Sequence, residues 1–281
     1  MSIFLKLLKL ELIKVFSKWR TYIGFIAVLV IVPLIQFAMY FEGKEYVEMA
    51  TKTLTETFSF NGELLNLYMV ARIILQGLYL QIPLLVALVG GDLLAGEATS
   101  GTYRLLLTKP VSRLQIISAK YAAGLIYTFL LIGFMAFLSF GLGSLLFDKG
   151  DMLVISSSIT LLNADDVPWR FLYTFLYAFL SMATVYTISF TFSSLVENSI
   201  GPIMGTMALI IVFSIINLVS VGFLKTVQMF LFTNYLQSWR YLFEIPPDWE
   251  LINQGVLVLS LHIIILTTFT FIYFNRKDIH S

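Results

Sequence analysis

Few side chains in this sequence could carry out chemistry. The chain has two histidines, His262 and His280, and no cysteine. A metal centre needs several N, O or S donors at short, regular spacing. Neither histidine belongs to an H-E-x-x-H or other paired-ligand pattern. Without cysteine there is no disulfide and no thiol nucleophile. A G-x-S-x-G nucleophile turn is absent, and so is the G-x-x-x-x-G-K-[ST] loop that would cradle a nucleotide's phosphates. His262 stands alone in an apolar segment. A neutral packing imidazole fits that setting better than a ligand or proton relay. An enzyme working inside a membrane is the weakest of the functional readings.

One stretch is different. Gly91 to Lys120 reads GDLLAGEATSGTYRLLLTKPVSRLQIISAK and gathers acidic, basic, glycine and proline residues between two apolar segments. Gly96 and Gly101 permit sharp reversals of the backbone. Thr102 can cap a short helix over Tyr103 to Thr108, with Tyr103, Leu106 and Leu107 on one apolar face. Pro110 breaks that helix, and Ser112-x-x-Gln115 is a capping box opening the next. Asp92 and Glu97 end the second apolar segment, and the form expected is a compact helical elbow with an acidic corner at Glu97 and basic flanks at Arg104, Lys109 and Arg113. It is longer than a mere connector needs to be, and it suits docking to a soluble partner.

The elements that must position this elbow are set by composition. Of 281 residues, 58% are hydrophobic and 12% charged, with mean hydropathy +0.87. That charge is about half the ~25% of a soluble domain. A net charge of +1 gives no electrostatic case for nucleic acid. Six intervals between successive charged residues hold 19 to 27 uncharged residues, close to or above the ~20 that a spanning helix needs. They predict an all-α polytopic membrane protein, a single domain over 1–281. Its six spans lie near 22–40, 73–94, 121–147, 171–196, 200–224 and 251–274, with the loop 92–120 between spans two and three. The first apolar stretch, Tyr22 to Tyr40, is longer than a signal-peptide core and is read as a retained span.

Lysine and arginine set the orientation. Eleven of the 18 lie at the N-terminus, in the loop 92–120 and at the C-terminus; seven lie on the opposite side, together with 12 of the 17 acidic residues. The positive-inside rule then places both termini and the loop in the cytoplasm. Residues 1–20 read as an amphipathic interfacial helix. Phe4, Leu5, Leu8, Leu12, Val15, Phe16 and Trp19 share one arc, and the lysines on the other side snorkel to anionic lipid. Segments 42–71 and 148–169 read as acidic outer loops. Trp239, Tyr241 and Trp249 fit an interfacial aromatic belt, and Asp248 can cap the last span. Between the charges that bound them the spans hold no acidic or basic residue, which argues against ion coupling. Their polar content is neutral: Gln36, Gln76, Gln81, Asn217 and a Ser/Thr run from Thr174 to Ser194. That run can serve helix–helix hydrogen bonding or wall a substrate path. Gly201-x-x-x-Gly205 allows close helix approach.

Taken as Gly-Asp-x-x-x-Gly-Glu-x-x-x-Gly-Thr-x-x-x-Leu-Leu-x-x-Pro-Val-Ser-Arg, residues 91–113 resemble the cytoplasmic loop of the type-2, exporter-class permeases of ABC transporters. Gly96, Glu97, Gly101, Thr102, Pro110 and Arg113 agree together; Ala98 and Thr99 stand where longer charged residues are common. The N-terminal helix, the six spans and the Asn275-Arg276-Lys277-Asp278-Ile279 tail extend the resemblance over essentially the whole chain. It implies a permease subunit without its motor, paired with a second permease copy as a homodimer and with two separate ABC ATPase subunits. ATP and Mg would be bound by those partners, with no cofactor on this chain. It implies a coupling helix in the loop, with Asp92, Gly96, Glu97, Gly101, Thr102, Arg104, Pro110 and Arg113 at the ATPase contact. Spans two and five would line the path, which gives Gln76, Gln81, Gly205 and Asn217 a place there. The implied setting is the prokaryotic inner membrane and the implied direction export. Uncharged spans favour lipid-like, peptide or other amphipathic cargo over a small ion. The alternative from the sequence is a membrane scaffold or channel component without ATPase coupling.

Overall fold

A computed structural model describes residues 3–55, 64–99, 111–155, 159–219 and 221–276. Lipid offers the backbone no hydrogen-bond partner, so long apolar segments must satisfy themselves as helices. Six described helices are long and apolar enough to cross a membrane. The main elements are α1 (Ile3–Ser17), α2 (Trp19–Thr55), α3 (Leu67–Gly77), α4 (Gln81–Thr99), α5 (Arg113–Gly141), α6 (Val167–Leu195), α7 (Ile200–Leu218) and α8 (Trp249–Arg276). A two-stranded antiparallel hairpin, β1 (Met152–Ile155) with β2 (Ile159–Leu162), sits between α5 and α6. Short helical turns over Leu224–Gln228, Phe232–Tyr235 and Ser238–Phe243 lie between α7 and α8.

Several segments differ from the sequence expectation. The first span does not end in a loop at residue 42: α2 runs on to Thr55. Its 37 residues extend about 55 Å, well beyond a ~30 Å hydrocarbon layer. Charge at Glu42, Lys44, Glu45 and Glu48 marks where the chain leaves lipid, but these residues are good helix formers and do not end a helix. The second span is not one rod from residue 73 to 94. It breaks at Leu78–Leu80 into α3 and α4. Asn66 starts α3, its side-chain oxygen accepting the Tyr68 and Met69 amides at 3.1 Å. Pro83 falls in the first turn of α4, where a missing N–H costs nothing. The acidic segment 148–169 contains the hairpin, not only loop. Trp239 is buried at 5% exposure and belongs to the core, not to an interfacial belt. Trp249 is exposed and stacks on Trp169 with centroids 6.3 Å apart.

The caps at Ser112, Asp248 and Asn198 match their residue types. Ser112 and Gln115 form a complete capping box. Asp248 accepts the Leu251 amide at 3.0 Å. Asn198 accepts the Ile200 and Gly201 amides in the tight α6–α7 turn.

Helix α4 is the most enclosed span and α7 among the least. Small residues let α6 grip α4. A Cβ at Gly90 would meet the Tyr186 ring at 3.0 Å, and one at Gly91 would meet Ile203 of α7 at 2.9 Å. Ser189 donates to the Ala87 carbonyl at 2.8 Å, and Ser193 donates to the Gly91 carbonyl at 2.6 Å. The Ser193 hydroxyl also accepts the Ala95 amide at 2.9 Å. Thr184, Thr187 and Thr191 return to carbonyls one turn back in their own helix. The Ser/Thr run thus serves hydrogen bonding within α6 and between helices. His262 packs in the same neutral way, its Nδ1 2.8 Å from the Val258 carbonyl and its ring edge-on to Phe232.

Candidate functional site: an ionic clamp around the elbow

The polar residues of the elbow's two ends meet the N-terminal helix. The α1–α2 joint at Lys18 is fixed by the Thr21 hydroxyl on the Val15 carbonyl, and α1 lies across the start of α5. That position carries Glu11 inward. Its carboxylate is 4% exposed, and Lys120 of α5 is fully buried against it. Lys120 Nζ lies 2.8 Å from Glu11 Oε2 and 2.6 Å from Glu97 Oε1. Lys14 Nζ lies 2.8 Å from Glu11 Oε1 and 2.9 Å from Glu97 Oε1. Two carboxylates and two ammonium groups thus close a neutral ring that joins α1, the end of α4 and the start of α5.

A second pair sits one turn earlier in α4. Asp92 receives Lys18 Nζ at 2.7 Å and Arg20 Nη1 at 3.0 Å. The lysines of α1 therefore do more than snorkel to lipid: Lys14 and Lys18 turn toward the carboxylates. Burial lowers the Lys14 pKa, but bonds to Glu11 and Glu97 outweigh it and hold the group above its ordinary value. Charges removed from water persist only where paired and hydrogen-bonded. Each of the four groups in the ring has a group of opposite charge within 2.9 Å.

The sequence-derived site residues divide into three groups. Asp92 and Glu97 are buried against α1 and do not present free carboxylates outward. Gly96 lies one turn beyond Asp92, whose carboxylate occupies the space beside its Cα. Arg113 opens α5. Gly101, Thr102, Arg104 and Pro110 lie outside the described residues, as does the expected helix over 103–108. Gln76 and Gln81 flank the α3–α4 break and are exposed on the surface of the chain. Gly205 faces Phe192 of α6 within the same chain. Asn217 donates to the Thr233 hydroxyl at 2.9 Å. The break in span two separates Gln76 from Gln81 onto different helices, so they do not form a continuous stripe.

Glu11 is the residue that sequence reading missed. It is the one carboxylate among five basic residues in the first 20 positions. That lone opposite charge was the available signal for an inward-facing partner.

Six helices long and apolar enough to cross a membrane define a multi-pass membrane protein. Residues 5–279 match the family model described as ABC-2 family transporter protein, and the chain belongs to that family. Members are membrane components of transport, not the catalytic subunit, and the family implies association with an ABC ATPase in general. No curated protein matches the chain.

Proposed function

We propose that this chain is the membrane-spanning permease subunit of an ATP-driven ABC exporter in a prokaryotic inner membrane. A separate ATPase holds ATP and Mg, and a second copy of the chain completes the path. The ionic clamp carries this reading. It ties both ends of the loop 92–120 to α1, so a force applied to the loop moves α1, α4 and α5 together instead of bending a flexible connector. Asp92 and Glu97 then contribute to docking by holding the elbow, while Arg104, Pro110 and Arg113 face the ATPase with Gly101 and Thr102. Both termini lie on the ATPase side, in keeping with the basic bias of those segments. The exposed faces of α7 and of Gln76 and Gln81 suit a homodimeric path lined by spans two and five.

The tagged full chain, solubilised from its native membrane, should elute with a nucleotide-binding subunit and with Mg-dependent, vanadate-sensitive ATP hydrolysis. Elution with no ATP-hydrolysing partner would favour a scaffold or channel instead.

A further inference from the structure

At the end of the molecule away from the clamp, Arg72 and Arg240 lie within electrostatic reach of each other, and neither is paired with a carboxylate among the described residues. Arg72 lies on α3, whose Leu67 packs against Gly143 beside Gln36 of α2. Its guanidinium sits over the Phe243 ring, 5.9 Å from the centroid. The Arg72 Nε is buried and has no hydrogen-bond partner among the described residues. The charge whose field bears on it among the described residues is that of Arg240, another cation. Arg240 is exposed, and its Nε donates to the Gln237 carbonyl at 3.3 Å.

This pairing is anomalous on a side that carries 12 of the 17 acidic residues. Arg170, on the same side, shows how the chain treats an arginine it needs for structure. It is paired to Asp166 at 2.6 Å and capped by two backbone carbonyls. Arg72 has no such arrangement. A partly desolvated cation in the field of another cation, with no acceptor for its Nε among the described residues, is costly unless an anion joins it.

The surroundings continue the pattern. Tyr79, at the α3–α4 break, lies beside Ser214 and within the field of Arg240. Asn217 Oδ1, on α7 one turn beyond Ser214, is buried without a partner among the described residues. Next to these groups lies a notch of about 40 Å³, lined by Leu75, Tyr79, Ile132, Met135, Met182 and Trp239. Its walls are almost wholly apolar. Cationic and neutral polar groups thus adjoin an apolar recess at the far end of span two.

We infer that Arg72, Arg240 and Tyr79 form a binding site for the anionic phosphate or carboxylate headgroup of an amphiphile, with the start of its apolar tail in the adjoining notch. Two guanidinium groups supply charge-assisted donors in the planar fork geometry that suits such oxyanions. The apolar recess selects a tailed ligand over a bare ion. This inference goes beyond the coupling reading and does not depend on it, because binding is read on the permease chain without ATP.

The test uses the full chain in phosphatidylcholine nanodiscs, with Trp fluorescence and native mass spectrometry as readouts. Dihexanoyl phosphatidic acid is the anionic probe and dihexanoyl phosphatidylcholine its zwitterionic control. The expected result is tighter binding of the anionic probe by roughly tenfold or more. In R72Q/R240Q that preference should disappear, while R72K/R240K should retain most of it. Competition by inorganic phosphate alone would locate recognition in the headgroup; competition only by the tailed probe would show that the notch contributes as well. Equal affinity of the wild type for both lipids would overturn the site, even if the glutamine variant failed to fold. So would an undiminished preference in a folded R72Q/R240Q.

Discussion

Replacing Lys120 by methionine is expected to destabilise the transmembrane domain by about 3–5 kcal/mol, the cost of removing one partner from a buried ion pair. Lys120 is fully buried and contacts both Glu11 and Glu97. Its loss leaves two carboxylates sharing Lys14, whose side chain is 42% exposed. Methionine fills much of the volume, so the effect would report charge more than cavity. Thermal unfolding of the purified full chain in detergent measures it. Adding Glu11→Gln to Lys120→Met should recover part of the loss, because the second change removes one of the stranded carboxylates. Their coupling energy should fall in the ~0.5–3 kcal/mol range of groups in one network. A single variant melting with the wild type would show that the ring does not hold these helices.

The second large effect is expected at the opposite end. Arg170 is 4% exposed and donates to the Leu242 and Glu244 carbonyls, while its Nη2 contacts Asp166. It fastens the segment before α8 to the first turn of α6. Arg170→Met strands two carbonyls, each worth about 1–3 kcal/mol when buried and unsatisfied, so a loss of about 2–4 kcal/mol is expected. Lysine should restore less than half, since it lacks the fork that reaches both carbonyls. A hydrogen bond from Trp169 and the adjacent Arg170 hold the Asp166 carboxyl below its ordinary value. A lowered native pKa contributes stability above the ordinary carboxylate value and loses it as pH falls through the native one. The difference in melting temperature between wild type and Arg170→Met should therefore stay constant from neutrality to about pH 5 and shrink only in stronger acid. A gap that closes already near neutrality would assign the clasp to another group.

Spans were legible in the sequence because lipid penalises charge so steeply that uncharged intervals outline them. Helix ends were legible only where a capping side chain announced them, as at Ser112 and Asp248. The α3–α4 break was not legible: Leu78, Tyr79 and Leu80 are apolar and carry no turn residue beyond Gly77, so hydropathy ran through it. The continuation of α2 to Thr55 was missed for the opposite reason, since charge was taken to end the helix as well as the span. Loop residues 92–113 could be picked out by type and spacing, but the partners of Asp92 and Glu97 could not. Those partners are Lys14 and Lys120 for Glu97 and Lys18 and Arg20 for Asp92; all but Lys120 lie more than 70 residues away, and the packing of α1 across α5 brings them together.

That packing also changes how coupling must be probed. From sequence, reversing the charge at Glu97 would look like a clean disruption of docking. In the fold it would place a third cation between Lys14 and Lys120 and would unseat the helices themselves. Arg104, which lies outside the described residues, is the better position, because its reversal leaves Glu11, Lys14, Glu97 and Lys120 unchanged. The most direct measurement is ATP hydrolysis by the complex purified on the full chain, compared between wild type and Arg104→Glu at matched permease content and thermal stability. The expected result is a loss of about tenfold in hydrolysis, equivalent to ~1.4 kcal/mol of coupling, with the spans still folded. Unchanged hydrolysis in the Arg104→Glu complex would contradict the assignment of this loop as the link to the motor.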